Sequence, residues 1–260
     1  SPSGTVGTFK ILRESRKDGH PSPVPCFLIR HPSVGPILVD TGLHPSISSD
    51  PSKNLGRMGT NFYKPELGPG EDASSQLRDK GIDPASIRLV ILTHLHIDHA
   101  SAIADFPDST LIVTAKEWEA ATSGAMPFRE GYRREQFDYA FDYRTVSFDT
   151  DDVNSYASFG RTIDLFGDGS IRLASTSGHT SGHQSLIVRL KDRDMVIGGD
   201  AVYLSSQLEP GSDLPGRIVD EHNFRRSLQE LRLFHSQYPE SVITPGHDKS
   251  FYDSAPTVWE

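Results

Sequence analysis

An α/β fold is predicted by this sequence, on three observations. Short apolar runs alternate with amphipathic stretches along most of the 260 residues. Several of those runs end in Gly or a polar turn and then deliver His or Asp. The composition, 35% hydrophobic and 23% charged, is that of an ordinary globular chain rather than a disordered or fibrous one. The length suits one large domain or two small ones, with ample material for a core. A net charge of −9 argues against a general nucleic-acid binder, which needs a basic footprint to displace counterions. No apolar run approaches the ~20 residues of a membrane-spanning helix. The single cysteine, Cys26, excludes an intrachain disulfide framework and reads as a small buried hydrophobe. The visible N-terminus has no apolar leader stretch, so a cytoplasmic location is the expectation.

Taken in order, Cys26–Ile29 and Ile37–Val39 read as strands separated by a Pro/Gly turn. Residues 44–70 are rich in Gly, Pro and Ser without clear periodicity, and a long loop is expected there. Asp72–Lys80 reads as a helix stopped by Gly81, Leu89–Leu92 and Leu111–Val113 as strands, and Lys116–Ala121 as the start of a helix. The aromatic, charged stretch from Met126 to Phe148 supports no assignment. Beyond it, Thr162–Phe166, Ile171–Ala174, Leu186–Val188 and Met195–Ile197 are strand-like, with Gly167-Asp168-Gly169 as a hairpin turn between the first two. Phe224, Leu228, Leu231 and Phe234 form one helical apolar stripe, with Arg225, Arg226 and Arg232 expected on the solvated face. Val242–Thr244 is the last strand.

The chemistry concentrates where the strand Leu89–Leu92 runs into Thr93-His94-Leu95-His96-Ile97-Asp98-His99. A His-x-His-x-Asp-His run is expected by chance on the order of 10⁻³ times in such a chain, so it is strong enough to build on. His94 and His96, two apart in extended backbone, can point the same way. Asp98 and His99, on the following turn, can face a second point nearby. Imidazole and carboxylate suit Zn²⁺ and metals of similar softness. Apolar runs also lead to Asp40, His179, Asp200 and His247, and in α/β sheets sites form where strand carboxyl ends converge. A lone Asp after a strand, as Asp40 is, reads by itself most often as a turn or cap residue. His20, His31, His44, His222 and His235 are expected to be surface or satisfied core residues; His183, four after His179, could support the site through hydrogen bonds.

The motif at residues 94–99, followed by Gly178-His179-Thr180, Gly199-Asp200 and Gly246-His247, resembles the metallo-β-lactamase superfamily. The resemblance spans residues 26 to 250. It implies an αβ/βα sandwich of two mixed sheets with helices outside, and a single hydrolase domain over residues 1–260. It assigns His94, His96 and His179 to one metal and Asp98, His99 and His247 to the other. Asp200 would bridge them, and Asp40 would orient a ligand histidine. Di-iron relatives place Glu where His96 stands, which favours zinc here, although Mn, Fe or Co would accept the same donors.

Two divalent metals ~3.5–4 Å apart lower the pKa of a shared water toward neutrality, so a metal-bridging hydroxide is the expected nucleophile. Only 13 residues follow His247, against the helical C-terminal domain of hydroxyacylglutathione hydrolases, so that thioester is not the expected substrate. The acidic charge weighs against the nucleases of the superfamily. Asp200-Ala201-Val202-Tyr203, Asp40-Thr41-Gly42 and the run from Gly178 to Ser185 are similar to the N-acyl-homoserine lactonases that quench quorum sensing. By that resemblance Tyr203 hydrogen-bonds the lactone carbonyl, and in the mechanism expected from it the ring oxygen departs onto the second metal with Asp98 as the candidate to return a proton. Met58, Phe62 and Tyr63 would line an acyl groove, with packing or subunit contact as the alternative. Another ester, another lactone or a β-lactam is the second substrate reading. A small-molecule partner is expected, with no nucleic acid or membrane; such lactonases are often dimers, which leaves a homodimer open.

Overall fold

Alternate residues of the early strands enter different cores, and that alternation builds the layers. The computed structural model describes residues 5–8, 12–15, 21–62, 65–138, 142–215 and 218–260. The first half forms β1 (Thr5–Thr8), β2 (Leu12–Ser15), β3 (Pro21–Val24), β4 (Phe27–His31) and β5 (Gly35–Val39). Then come α1 (Ser46–Ser49), α2 (Pro51–Phe62), β6 (Pro65–Glu66), α3 (Ala73–Asp79), β7 (Leu89–Ile91), α4 (Ile97–Ala100), β8 (Thr110–Thr114), α5 (Ala115–Ser123), α6 (Arg134–Phe137) and β9 (Asp142–Val146). The second half forms β10 (Asn154–Tyr156), β11 (Phe159–Asp164), β12 (Ile171–Ser175), β13 (Gln184–Arg189) and β14 (Asp194–Ile197). It closes with α7 (Glu221–Gln237), β15 (Val242–Thr244), α8 (Lys249–Ser254) and β16 (Val258–Trp259).

A seven-stranded sheet runs β16-β1-β4-β5-β7-β8-β9, and a six-stranded sheet runs β10-β11-β12-β13-β14-β15. Both are mixed: β5, β7, β8 and β9 pair in parallel, as do β14 and β15, and the other ladders of these two sheets are antiparallel. Phe27, Ile29, Ile37, Val39 and Ile91 of the first sheet share one core with Ile171, Leu173, Leu186, Val188, Met195 and Ile197 of the second. Leu28, Leu38, Val90, Leu111 and Val113 point the other way, into a core that includes Leu77 of α3 and Ala121 of α5. Ala174, Ile187 and Val196 point outward from the second sheet onto Phe224, Leu228, Leu231 and Phe234 of α7. Period-two strands buried on both faces therefore produce helix, sheet, sheet and helix in succession, the expected αβ/βα sandwich.

The long loop expected over 44–70 is a misreading, because α1, α2 and β6 occupy most of it. Pro51 opens α2, where its missing N–H costs nothing. Leu55 is buried with Leu43, Ile47 and Leu67. Gly56, at φ +70°, kinks α2, and the weak helix formers Ser52, Asn54, Gly56, Gly59 and Thr60 gave this segment the look of a loop. The third sheet, β3-β2-β6, was likewise unforeseen. The strand expected at 162–166 lies at Phe159–Asp164, because the Asp164 carboxylate accepts from the Gly167 and Gly169 N–H groups (3.0 and 2.9 Å) and ends it. The unassigned stretch from 126 to 148 holds a 3₁₀ turn at Pro127–Glu130, α6 and β9, with Tyr132 and Phe137 buried. Arg232 is not on a purely solvated face, since its Nε donates to Gln207 O at 2.8 Å. No helix among the described residues is long and apolar enough to cross a membrane.

On α7, Phe234 is fully buried with its ring 5.4 Å from that of Phe159, whereas the neighbouring Leu233 is 43% exposed. Phe234→Ala should lower unfolding stability by about 3–5 kcal/mol. Leu233→Ala should stay within about 0.5 kcal/mol. Urea denaturation of both variants checks the contrast.

Candidate metal centre

Five strands that run in one direction within their sheets end at a common rim. Asp40 follows β5, and the 94–99 segment follows β7. His179 lies beyond β12, Asp200 beyond β14 and His247 beyond β15. Two cross-links join the sheets there: Gln184 N donates to Thr93 O (3.0 Å) and Gln184 Nε2 donates to Leu92 O (2.9 Å). The rim buries its polar side chains. His94 is fully buried; His96, His99, His179, Asp200 and His247 are buried, and Asp98 keeps a partly exposed carboxylate.

The structure brings all seven expected ligands together. His94, His96 and His179 offer donor atoms within 4.8 Å of one another, and so do Asp98, His99 and His247. Asp200 stands between the groups. Its Oδ2 lies 3.3 Å from His179 Nε2 and 3.2 Å from His247 Nε2, and its Oδ1 lies 3.2 Å from His99 Nε2. His94 Nε2 is buried with no hydrogen-bond partner among the described residues. Several nitrogen and oxygen donors converging on so small a space, one of them an orphaned imidazole nitrogen, are the donor set that a pair of divalent cations takes.

The rear nitrogens are held by the protein. His99 Nδ1 bonds Asp40 Oδ2 at 2.8 Å, and His247 Nδ1 bonds the Pro23 carbonyl at 2.8 Å. His94 Nδ1 bonds Thr93 Oγ1 at 3.0 Å, and His179 Nδ1 bonds the Tyr203 hydroxyl at 2.9 Å. Asp40 also accepts from Thr93 N and Thr93 Oγ1 (2.7 and 2.8 Å), and it holds φ at +57°, a conformation few residues other than glycine adopt. His183 Nε2 accepts from Asp200 N at 2.9 Å while its Nδ1 bonds Thr176 Oγ1 at 2.9 Å. Thr93, Thr176 and the Pro23 carbonyl were not anticipated. Thr93 directly precedes the motif and was open to notice, but a main-chain carbonyl carries no sequence signal.

The electrostatics follow from crowding. Burial pushes His94 well below the usual imidazole range, helped by His99 and His96. Burial, with the charge of His179 adding to it, pushes His183 down to about 3, so its ring is a neutral acceptor for the Asp200 N–H. Burial alone would raise Asp200, but His247, His179 and His99 surround it and hold it well below the usual carboxylate range. Burial opposes charge on His99, yet Asp200, Asp98 and Asp40 raise it well above its ordinary value.

Other expected positions fall outside the cluster. Met58 and Phe62 belong to α2, but their side chains, and all of Tyr63, lie outside the described residues. His31 is a satisfied core residue bonded to Ser170 Oγ at 2.8 Å, and His44 bonds Ser46 Oγ at 2.8 Å. A cavity of about 340 Å³ opens beside the 176–183 loop, reached by Lys116, Ser177, His183 and Arg226. None of the seven clustered residues lines it, so a substrate there would not meet them.

Residues 19–247 match the family model of the metallo-beta-lactamase superfamily. The N-acyl homoserine lactonase AttM of Rhizobium radiobacter is 34% identical over 228 residues, which cover 87% of this chain and 82% of that one. A solved N-acyl homoserine lactone hydrolase, with the product N-hexanoyl-L-homoserine bound at its catalytic metal centre, shares the fold at a TM-score of 0.79 and 23% identity, covering 98% of each chain. The dizinc quorum-quenching lactonase AidC is similar at a TM-score of 0.54 and 14% identity, covering 90% of this chain and 76% of its own.

Asp200, Asp98 and Asp40, against the effect of burial, favour the protonated form of His99 in the metal-free cluster. Cation binding must displace that proton. Calorimetric titration with a divalent cation, repeated in buffers of different ionisation enthalpy, should show net proton release; binding without release contradicts this account.

Proposed function

The chain belongs to the metallo-β-lactamase superfamily, and from that footing we propose a two-metal hydrolase that opens the lactone ring of N-acyl homoserine lactones. The observation that carries the reading is Asp200, whose two carboxylate oxygens face histidines of both groups at 3.2–3.3 Å. In this reading His94, His96 and His179 hold one cation, Asp98, His99 and His247 the other, and Asp200 is shared. Zinc is the metal we assign, supported by the nitrogen-rich donor set and by the dizinc lactonase of the same fold. Bound there, the pair would supply Lewis acidity and a hydroxide nucleophile near neutral pH.

The chain's own groups do the rest. Asp40 and the Pro23 carbonyl accept hydrogen bonds from the rear Nδ1–H groups of His99 and His247, which turns each Nε2 forward as an unprotonated ligand atom. Tyr203 does the same for His179: with Nδ1–H donating to the phenol oxygen, the Tyr203 O–H is oriented to donate to a lactone carbonyl as negative charge builds on it. When the ring C–O bond breaks, the departing oxygen needs a proton. Asp98 is suited to pass one, because its side chain is 13% exposed where those of His99, His179, Asp200 and His247 are 1–4%. Met58 and Phe62 on α2 are proposed to meet the acyl chain.

Elemental analysis of the purified protein should give about two metal equivalents, with homoserine-lactone hydrolysis lost on chelation and regained on zinc addition. Turnover of nitrocefin or aryl esters without lactone turnover would overturn the substrate assignment. Tyr203→Phe should cut kcat by about 10²–10³ with metal content unchanged. Wild-type turnover in that variant removes Tyr203 from the mechanism.

A further inference from the structure

Glu117 is a fully buried carboxylate that the proposed reaction does not use. It stands in the first turn of α5, where Thr114 Oγ1 accepts from the Glu117 N–H at 3.1 Å. Its side chain leaves the helix. Oε1 accepts from the Leu95 N–H at 2.9 Å; Oε2 accepts from the Thr180 hydroxyl at 2.7 Å and the Gly182 N–H at 3.1 Å. Leu95 lies between His94 and His96, and Thr180 directly follows His179. The Thr114 hydroxyl also donates to Gly182 O at 2.6 Å. A Cβ at Gly182 would stand 2.1 Å from Glu117 N, so glycine lets this loop close onto the helix start.

One carboxylate thus grips both backbone segments that present His94, His96 and His179. Hydrogen bonds to an ionised acceptor are roughly twice as strong as neutral ones, and three donors converge on this one. The other group is anchored elsewhere, His99 through Asp40 and His247 through the Pro23 carbonyl. We propose that Glu117 is a positioning residue dedicated to one of the two metal sites. It fixes the His94–His96 segment relative to His179 and so sets the affinity of that trio for its cation, leaving the Asp98–His99–His247 site unchanged. The inference rests on the two-metal reading above.

Glu117→Gln keeps the side chain's size but turns an amide NH₂ toward at least one existing donor. Thr180→Val removes a single donor, and Thr180→Ser restores it. Metal-free protein is titrated with Co²⁺, with ligand-field absorption and calorimetric stoichiometry as readouts. Wild type should take two equivalents. In Glu117→Gln one equivalent should keep its affinity and the other weaken by about 10–100-fold. Thr180→Val should weaken the same equivalent less, and Thr180→Ser should match wild type. If both equivalents weaken alike, or neither does, Glu117 is only a packing element and the proposal fails. A wild type that takes two Co²⁺ keeps that failure separate from a failure of the two-metal reading, which a wild type taking none would bring down. Should Glu117→Gln not fold, the Thr180 pair decides the matter.

Discussion

Concentrated charge below the surface is the constraint on which this structure depends. Asp200 is 2% exposed, and an isolated ionised carboxylate at that depth is far too costly to persist. Three imidazoles surround it, yet burial first and neighbouring imidazoles second disfavour protonation in this space, as the depressed His94 shows. Neither set of groups is comfortable without the other. The sandwich tolerates them because four of the rings, His94, His99, His179 and His247, are tied from behind by a threonine, an aspartate, a tyrosine and a main-chain carbonyl. Rotation is denied to these side chains, so their donor atoms stay convergent rather than relaxing toward solvent.

The fold makes such convergence cheap to arrange. Strands of two separate sheets point their carboxyl ends at one rim, so residues far apart in the chain need only short connections to meet. Gln184 stitches the rim by bonding both Thr93 and Leu92. The apolar layer between the sheets is a source of stability that does not depend on the polar groups at the rim.

Much of this was legible in the residues. Strand alternation gave the layers, and each candidate ligand follows an apolar run that ends at the rim. What was hidden had physical reasons. α2 is short of good helix formers and rich in Gly, Ser and Asn, so a helix looked like a loop. The Thr114-to-Glu117 spacing reads as an ordinary helix-capping pattern, whereas the Glu117 side chain reaches partners 22, 63 and 65 residues away. The tether of His247 is a carbonyl 224 residues distant, and every residue has a carbonyl. The third sheet rests on a two-residue strand, too short to show any pattern.

That small sheet has a mechanical implication. Its central strand, β2, bonds β3 on one side and β6 on the other. β6 begins three residues after the end of α2, and β3 contributes the Pro23 oxygen that fastens His247. One hydrogen-bonded sheet thus joins the strand that follows α2 to the strand whose main-chain oxygen backs an imidazole deep in the rim.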